Sequence, residues 1–584
     1  MSSQLRQLSD WWLPFAAVGV SLVVYASTAA PAVGLIDSGE LSAGCYLLNV
    51  LHPTGYPLYT LLGRLASMIP LGSVANRLTG LSAVLSASGV GLFVWLCRRL
   101  GFSAWAAAGA GLVLAFSVPV WSVSTDAEVH ALTLVLSVLV WLGVLEAGQR
   151  RGLLLVAYLA GLALTNHMSV VSVVVGAGLA VSLVMGRELP RRLPVVVLLI
   201  LLGLSPYLFL PLRARAGPVM AWGNPVNLER FWWHVTGRQY QVWMFSLPAS
   251  QVLANAGRGV VMLGRSLAWV LIPAAAAGAF AMFRARRALV LGLTAAGTLS
   301  FLYAVNYSIP DIEAYFLPAM LTLAVFAAAG LELAVRRWRT VRFAVLLPAV
   351  VLLAAGFSDL SRRGHYVAYD AAVNTLASAD SGAVIMTDWW DLYAPIFYLQ
   401  HVEGLRPDVC VVDRELVRRS WYLGYLDRNY PWLMERLQQE KADYVFYLDQ
   451  FEHGRLRDPA AIQRCFISLL RGFLVRDDMR PTYVTFAADA GPDARQLLSG
   501  LAVVPVGLLF RVGDDSGLPA FDYTQLEVRV PGSGLDQRTR VNLERYRYFA
   551  RERARALLNA GRPEEARSLA AWVDMKLRPV AGQR

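Results

Sequence analysis

FAVLLPAVVLLAAGF (residues 343–357) runs directly into SDLSRRGHYVAYD (358–370). The first stretch carries no charge and the second carries four, so the chain changes solvent here. Residues 1–357 hold 23 basic and 11 acidic side chains; residues 358–584 hold 30 of each. The whole net charge of +12 therefore belongs to the first part. Of the 584 residues, 56% are hydrophobic and only 16% charged, with a mean hydropathy of +0.47. Ordinary soluble domains carry roughly 25% charged residues. This composition excludes a disordered chain, a disulfide-rich miniprotein and a fully soluble enzyme.

Upstream of the break the chain is a series of apolar runs. At about 20 residues per crossing, they predict eleven membrane spans, near 12–30, 77–97, 103–120, 129–147, 152–166, 168–186, 193–211, 257–283, 288–306, 316–335 and 343–357. Alternate short loops carry Arg98/Arg99, Arg150/Arg151, Arg187/Arg191/Arg192, Arg284/Arg286/Arg287 and Arg336/Arg337/Arg339/Arg342. With Arg6, these mark the cytoplasmic side by the positive-inside rule. Those ends hold 15 basic residues against four acids, Asp10, Glu146, Glu188 and Glu332. The basic excess is thus a topology signal and excludes a nucleic-acid reading. The N-terminus is expected inside and the C-terminal part outside. The first run is too long for a signal-peptide core and is kept as a span.

The opposite loops differ in kind. The first (31–76) contains Asp37, Glu40, His52 and Tyr56, and the second Asp126, Glu128 and His130. The third is a tight turn with Asn166 and His167. The fourth holds Arg213, Arg215, Trp222 and Tyr240, and the fifth Asp311, Glu313 and Tyr315. Five loops bring carboxylates, imidazoles, guanidinium groups and aromatic rings to one membrane face, which points to a site there. Singly, each has a plain structural reading. Asp37 reads equally as a helix N-cap with Glu40 as reciprocal partner. Asp126 and Glu128 read as first-turn acids favoured by the helix dipole. Arg213 and Arg215 read as snorkelling or lipid-binding side chains. None of these explains why the groups share one face.

The set matches what a membrane enzyme needs to use a lipid-phosphate-linked sugar. An acceptor hydroxyl needs a carboxylate as general base, and the departing phosphate needs cations. The sugar needs an aromatic and polar pocket edge. Asp37, the pair Arg213/Arg215 and the Trp-rich loop 222–243 supply these types. A transporter or flippase of a polyprenyl-linked substrate would use similar groups, more often at mid-membrane on broken helices. A non-catalytic envelope scaffold is the third alternative.

Several ordered segments also carry a family resemblance. DSGE (37–40) followed by HPTGYPLYTLLGRL (52–65) resembles the opening signature of a bacterial membrane family similar to the eukaryotic transmembrane O-mannosyltransferases that modify IPT domains. STDAEVHAL (124–132), GLALTNHMS (161–169), LPLRARAGPVMAWGNP (210–225), GRQY (237–240) and NYSIPDIEAYFLP (306–318) follow in order, and DWWDLYAPIFYLQHVEGLRPDVCVVD (388–413) resembles the family's exterior region. Thr54 stands where the family more often has proline. The resemblance implies a GT-C glycosyltransferase fold and a polyprenyl-phosphate donor of mannose or another hexose. It also implies inversion at the anomeric carbon and an acceptor hydroxyl, such as protein Ser or Thr. It makes Asp37 the favoured base, with Glu40 as neighbour or alternative. His52, Tyr56, Asp126, Glu128, His167, Trp222, Tyr240, Asp311 and Glu313 become supporting residues, and Arg213 and Arg215 the phosphate-binding pair. No cofactor is expected. Asp126, Glu128 and His130 are only loosely spaced for metal ligation, so no metal site is expected, with divalent-metal dependence left open. The implied location is the bacterial inner membrane, with the site and C-terminal domain on the periplasmic side.

Beyond 357 the alternation of helices and strands predicts an α/β domain over 358–520, with strands at 383–387, 409–413, 482–488 and 508–512. A C-terminal helical segment over 521–584 follows, in which ARALLNAGRPEEARSLA resembles part of one tetratricopeptide repeat. Cys410 and Cys465 fall in this half; a pairing between them is not determined by sequence. Trp389 and Trp390, beside Asp388 and Asp391, are candidates to bind a glycan or to pack against the membrane part.

Overall fold

The computed structural model describes residues 11–581 apart from 310, 477, 479 and 514–516. Arg6 and Asp10, counted above on the cytoplasmic side, lie outside these residues. The first half is a bundle of apolar helices, as its composition requires: a spanning segment must satisfy its backbone internally. Five helical runs are long and apolar enough to cross a membrane: Val74–Arg99, Met168–Gly203, Arg287–Val305, Ile312–Arg337 and Thr340–Asp359. Two bent pairs raise the number to seven, Ala104–Ala115 with Val118–Ser124 (63°) and Ala249–Ser266 with Leu271–Ala285 (90°). The eleven expected spans exceed this number. The difference lies in short helices such as Trp12–Thr28 and His130–Leu145, and in the long run Met168–Gly203.

That long run is divided by a turn at Gly186, whose φ of +50° suits glycine. Val184, before the turn, lies beside Gly148, which precedes helix Arg150–Leu164. After the turn, Gly203 packs on Tyr158 and Gly161 of that helix, and Tyr207 donates to the Leu164 carbonyl at its far end (2.8 Å). The two legs therefore run in opposite directions. Small residues allow the closest crossings. A Cβ on Gly176 or Gly292 would overlap the carbonyl of the other, and one on Gly330 would overlap Ala274. Such contacts hold helices together where no hydrophobic difference from lipid exists.

The C-terminal half contains a five-stranded sheet of order β2-β1-β3-β5-β4: β1 Val384–Thr387, β2 Cys410–Asp413, β3 Thr482–Val484, β4 Ala502–Val506 and β5 Leu509–Gly513. β1 pairs in parallel with β2 (Val384 opposite Cys410) and with β3 (Val384 opposite Thr482). β3–β5 and β5–β4 are antiparallel. β4 was not expected from sequence. Pro505 lies within it, and the strand tolerates proline because it is an edge. A two-residue turn containing Gly507 (φ +57°) joins β4 to β5. All four cysteines are free, Cys410 and Cys465 included. Between β2 and β3 the chain forms helices Ser420–Asn429, Pro431–Met434, Gln438–Glu452 and Pro459–Leu474. Residues 526–536 carry no helix; the C-terminal helices are Gln537–Asn559, capped by Asp536 on the Thr539 N–H (2.7 Å), and Pro563–Ala581.

The C-terminal half sits directly on the loop region 31–76. Helix Trp390–His401 packs against helix Ser38–Leu47 so closely that a Cβ on Gly39 would overlap the Ala394 carbonyl. The Arg362 N–H donates to the Thr28 carbonyl (2.8 Å), and the Ala75 N–H to the Tyr398 hydroxyl (3.1 Å). Gly39→Val should therefore loosen the exterior domain, destabilising the protein by about 1–3 kcal/mol, the usual cost of overpacking. Gly19→Ala, with open space around it, serves as the neutral control. Thermal unfolding in detergent and proteolytic release of residues 358–584 check both.

Candidate functional site

Asp37 occupies the position before helix Ser38–Leu47, yet makes no capping bond with its side chain. The capping reading of Asp37 and Glu40 therefore does not apply. Its carboxylate turns to two partners distant in sequence. Trp390 Nε1 donates to Oδ1 at 2.9 Å, and His52 Nε2 lies 3.7 Å from Oδ2. Glu40, one turn into the helix, is buried. Its Oε1 accepts the His52 backbone N–H (2.8 Å) and its Oε2 lies 2.6 Å from His52 Nδ1. The opposite ring nitrogen of His52 is 2.8 Å from the Tyr56 hydroxyl. The imidazole thus stands between two carboxylates, held by one and facing the other.

The electrostatics follow from this placement. Burial alone would depress the His52 imidazole, but the charges of Glu40 and Asp37 outweigh it and raise it to about 9. Burial pushes the Asp37 carboxyl up, and the His52 charge opposes that rise. At neutral pH His52 is an imidazolium. Asp311 is raised to about 6, by burial first and by Asp37 second. Glu128 is raised to about 8, by burial and then by the charges of Asp311 and Asp37. Burial also raises Asp126 to about 6. Buried carboxylates raised in this way mark functional sites as a class.

Asp37, His52 and Asp311 face a cavity of about 930 Å³. Asp37, His52, Tyr56, His167, Trp222, Tyr240 and Asp311 all line it, as a convergent site requires. Its other side is apolar: Met168, Val175, Leu299 and Leu302 line it while remaining part-exposed on the membrane helices. The cavity therefore combines a charged, aromatic end with a hydrocarbon-like end.

Other expected site residues lie elsewhere. Glu40 stands behind His52, outside the lining. Asp126 accepts from the Ser38 hydroxyl (2.6 Å), so it supports the start of the Asp37 helix. Glu128 accepts the His130 N–H (3.3 Å), also outside the lining. Glu313 is exposed and outside it as well. The arginine pair requires the largest correction. Arg213 donates from Nε to the Leu48 carbonyl (2.5 Å) and from Nη2 to the Leu47 carbonyl (3.1 Å). It thereby satisfies the C-terminal carbonyls of helix Ser38–Leu47. Arg215 donates to the Val226 carbonyl (2.9 Å). Neither reaches the cavity. The guanidinium groups that do line it, Arg419 and Arg538, come from the C-terminal half, as does Trp390. No spacing signal could have found them, because they lie more than 350 residues from Asp37.

Among the described residues, one group of side chains could hold a divalent cation. Asp37, Glu40 and His52 each offer one ligand atom, all within 4.8 Å of one another. This is a different set from Asp126, Glu128 and His130. Here His52 Nδ1 is taken by Glu40, which leaves Nε2 and Asp37 facing the cavity.

The raised imidazole has a stability consequence whose sign is fixed. His52 ordinarily titrates near 6.5 and here near 9. Its stabilising interaction is fully present below about pH 6.5 and is lost as pH rises through about 9. The Tm gap between the wild type and His52→Gln should be widest at acid to neutral pH and close steadily toward pH 9. A pH series of thermal unfolding curves checks this, and a gap that widens with pH would refute it.

Comparison with known proteins returns the relationship read from the motifs. Residues 37–188 match the family model described as Protein O-mannosyl-transferase TMEM260 N-terminal domain. Protein O-mannosyl-transferase TMEM260 of Mus musculus is 28% identical over 436 residues, 68% of this chain and 61% of the relative. Its counterpart in Dictyostelium discoideum is 28% identical over 242 residues, 37% of this chain and 29% of the relative. The chain thus spans less than two thirds of either relative. ArnT from Cupriavidus metallidurans in the apo state aligns with a TM-score of 0.53 at 15% identity, covering 87% of this chain and 98% of that one. Its crystal structure bound to undecaprenyl phosphate aligns with a TM-score of 0.54 at 15% identity, covering 87% and 99%. The protein is a multi-pass helical membrane protein that shares the fold of ArnT and is similar over residues 37–188 to the TMEM260 N-terminal domain.

Proposed function

We propose that this protein is an inverting glycosyltransferase, which moves a sugar from a polyprenyl-phosphate donor to an acceptor hydroxyl on the periplasmic face of the bacterial inner membrane. The observation that carries the reading is Asp37: an uncapped carboxylate on the wall of a largely apolar cavity with a charged, aromatic end, beside a positive imidazole and a tryptophan N–H. The similarity to the O-mannosyl-transferase TMEM260 of mouse supports mannose as the sugar and protein Ser or Thr as the acceptor. The fold shared with ArnT, which binds undecaprenyl phosphate, supports the lipid-linked donor.

The chemistry maps onto the site. The acceptor oxygen attacks the anomeric carbon from the face opposite the phosphate. Asp37 takes the hydroxyl proton as general base. Its burial makes it a stronger base than a free aspartate, and the His52 charge opposes that rise. Glu40 is a positioning residue here, because its carboxylate is spent on His52. Trp222, Tyr240 and Tyr56 offer aromatic and hydroxyl surfaces to the sugar. The isoprenoid tail lies along Met168, Val175, Leu299 and Leu302.

Asp37→Asn should lower transfer about 10²–10⁴-fold in membranes supplied with lipid-linked donor, while donor binding persists. Undiminished turnover would remove Asp37 as base. Glu40→Gln should instead lower the pH at which His52 loses its charge, and with it the alkaline limit of activity. The reading routes no step through a metal ion, so transfer should survive dialysis against a chelator. Loss of activity restored by a divalent cation would overturn that part, and would point to the Asp37–Glu40–His52 set.

A further inference from the structure

The cavity's two guanidinium groups are not equivalent. Arg538 is committed: its Nε donates to the Asp391 carboxylate at 2.8 Å and its Nη2 at 2.7 Å. Neighbours of Arg419 are likewise taken, Arg414 by Asp388 (3.3 Å) and Glu415 (3.2 Å), and Arg418 by Glu415 (3.0 Å) and Asp493 (2.5 Å). The Arg419 side chain has no hydrogen-bond acceptor and no ion pair among the described residues, although it is half-buried on the cavity wall. A cation withdrawn from water without a partner is costly, and an anionic ligand removes that cost.

Its position is firmly held. The Arg419 N–H donates to the Leu416 carbonyl (2.9 Å). The next residue, Ser420, accepts from Arg230 (3.2 Å) and donates from its hydroxyl to Glu452 (2.9 Å). Trp421 packs its ring on Trp222 at 4.8 Å. Arg230 and Trp222 belong to the membrane half's exterior loop, so the exterior domain delivers Arg419 to the wall at a set place. The same cavity carries Asp37 at its polar end and Val175, Leu299 and Leu302 at its apolar end. The ligand that fits has one anionic head and a hydrocarbon tail.

Resting on the glycosyltransferase reading above, we propose that Arg419 holds the phosphate of the lipid-linked donor and of the polyprenyl phosphate that leaves. In the transfer step the bond between the anomeric carbon and the phosphate oxygen breaks, and its electron pair goes to that oxygen. The acceptor oxygen forms the new bond to the anomeric carbon, and its proton passes to Asp37. The phosphate gains one negative charge, which the planar guanidinium fork is shaped to receive in two hydrogen bonds. The phosphate role assigned from sequence to Arg213 and Arg215 thus passes to a residue of the exterior domain.

The test uses the full chain in lipid nanodiscs, titrated with a polyprenyl phosphate, with the matching polyprenol and with inorganic phosphate. The wild type should bind the phosphate lipid at least about tenfold more tightly than the alcohol, a difference of about 1.4 kcal/mol. Arg419→Gln should abolish that preference, and Arg419→Lys should keep part of it. Arg418→Gln, which disturbs a neighbouring cation outside the cavity, should keep all of it. Thermal unfolding verifies that each variant is folded. A wild type that does not distinguish phosphate lipid from alcohol overturns the glycosyltransferase reading, and this inference with it. A preference that survives in Arg419→Gln overturns only the assignment to Arg419. Inorganic phosphate binding as tightly as the lipid overturns the lipid as the ligand.

Discussion

Asp391 is the interaction on which the site depends. It is buried, and it accepts from the Ile36 N–H (3.0 Å), from Arg538 Nε and Nη2, and from Asn542 Nδ2 (2.9 Å). One carboxylate therefore joins the first exterior loop, the helix after β1 and the C-terminal helix. Removing it would leave Arg538 half-buried and uncompensated, a costly state. Ile36 directly precedes Asp37, and Trp390 directly precedes Asp391. The same contact that docks the exterior half thus sets the catalytic candidate against its tryptophan partner.

The second constraint is charge balance under burial. Asp37 and Glu40 are three residues apart, Glu40 buried and Asp37 part-buried, and two acids so close need a cation between them. His52 resolves this by carrying a positive charge between them. The arrangement leaves Glu40 fully spent and Asp37 only partly so. That asymmetry, more than the presence of two acids, separates a base from a support. It follows from geometry: Glu40 receives both the backbone and the ring N–H of His52, whereas Asp37 faces the cavity.

The exterior half is part of the site and more than a cover for it. Trp390, Arg419 and Arg538 line the cavity beside the membrane loops. The ring of Trp222 packs against both Trp390 and Trp421. The alternative readings of Trp390 from sequence, ligand contact or packing against the membrane part, merge here: it packs on Trp222, bonds Asp37 and lines the cavity.

The sequence alone determined the membrane character and the break in composition near residue 357. Those properties depend on composition, and solvent reads it locally. It also singled out Asp37, His52, Tyr56, His167, Trp222, Tyr240 and Asp311, all of which line the cavity, because charged and aromatic groups at span ends are rare enough to stand out. Tertiary structure decided the rest. Arg213 looked like a phosphate ligand, but the nearest unsatisfied partners in the fold were the carbonyls of Leu47 and Leu48. Asp37 and Glu40 looked like a capping pair, but a histidine twelve residues on claimed Glu40. Arg419 and Arg538 carry no mark in sequence, since their role comes from chain segments hundreds of residues apart meeting at one wall. Which cation stays unpaired, and which acid stays free, is a matter of what else lies within about 3 Å, and only the folded chain sets that.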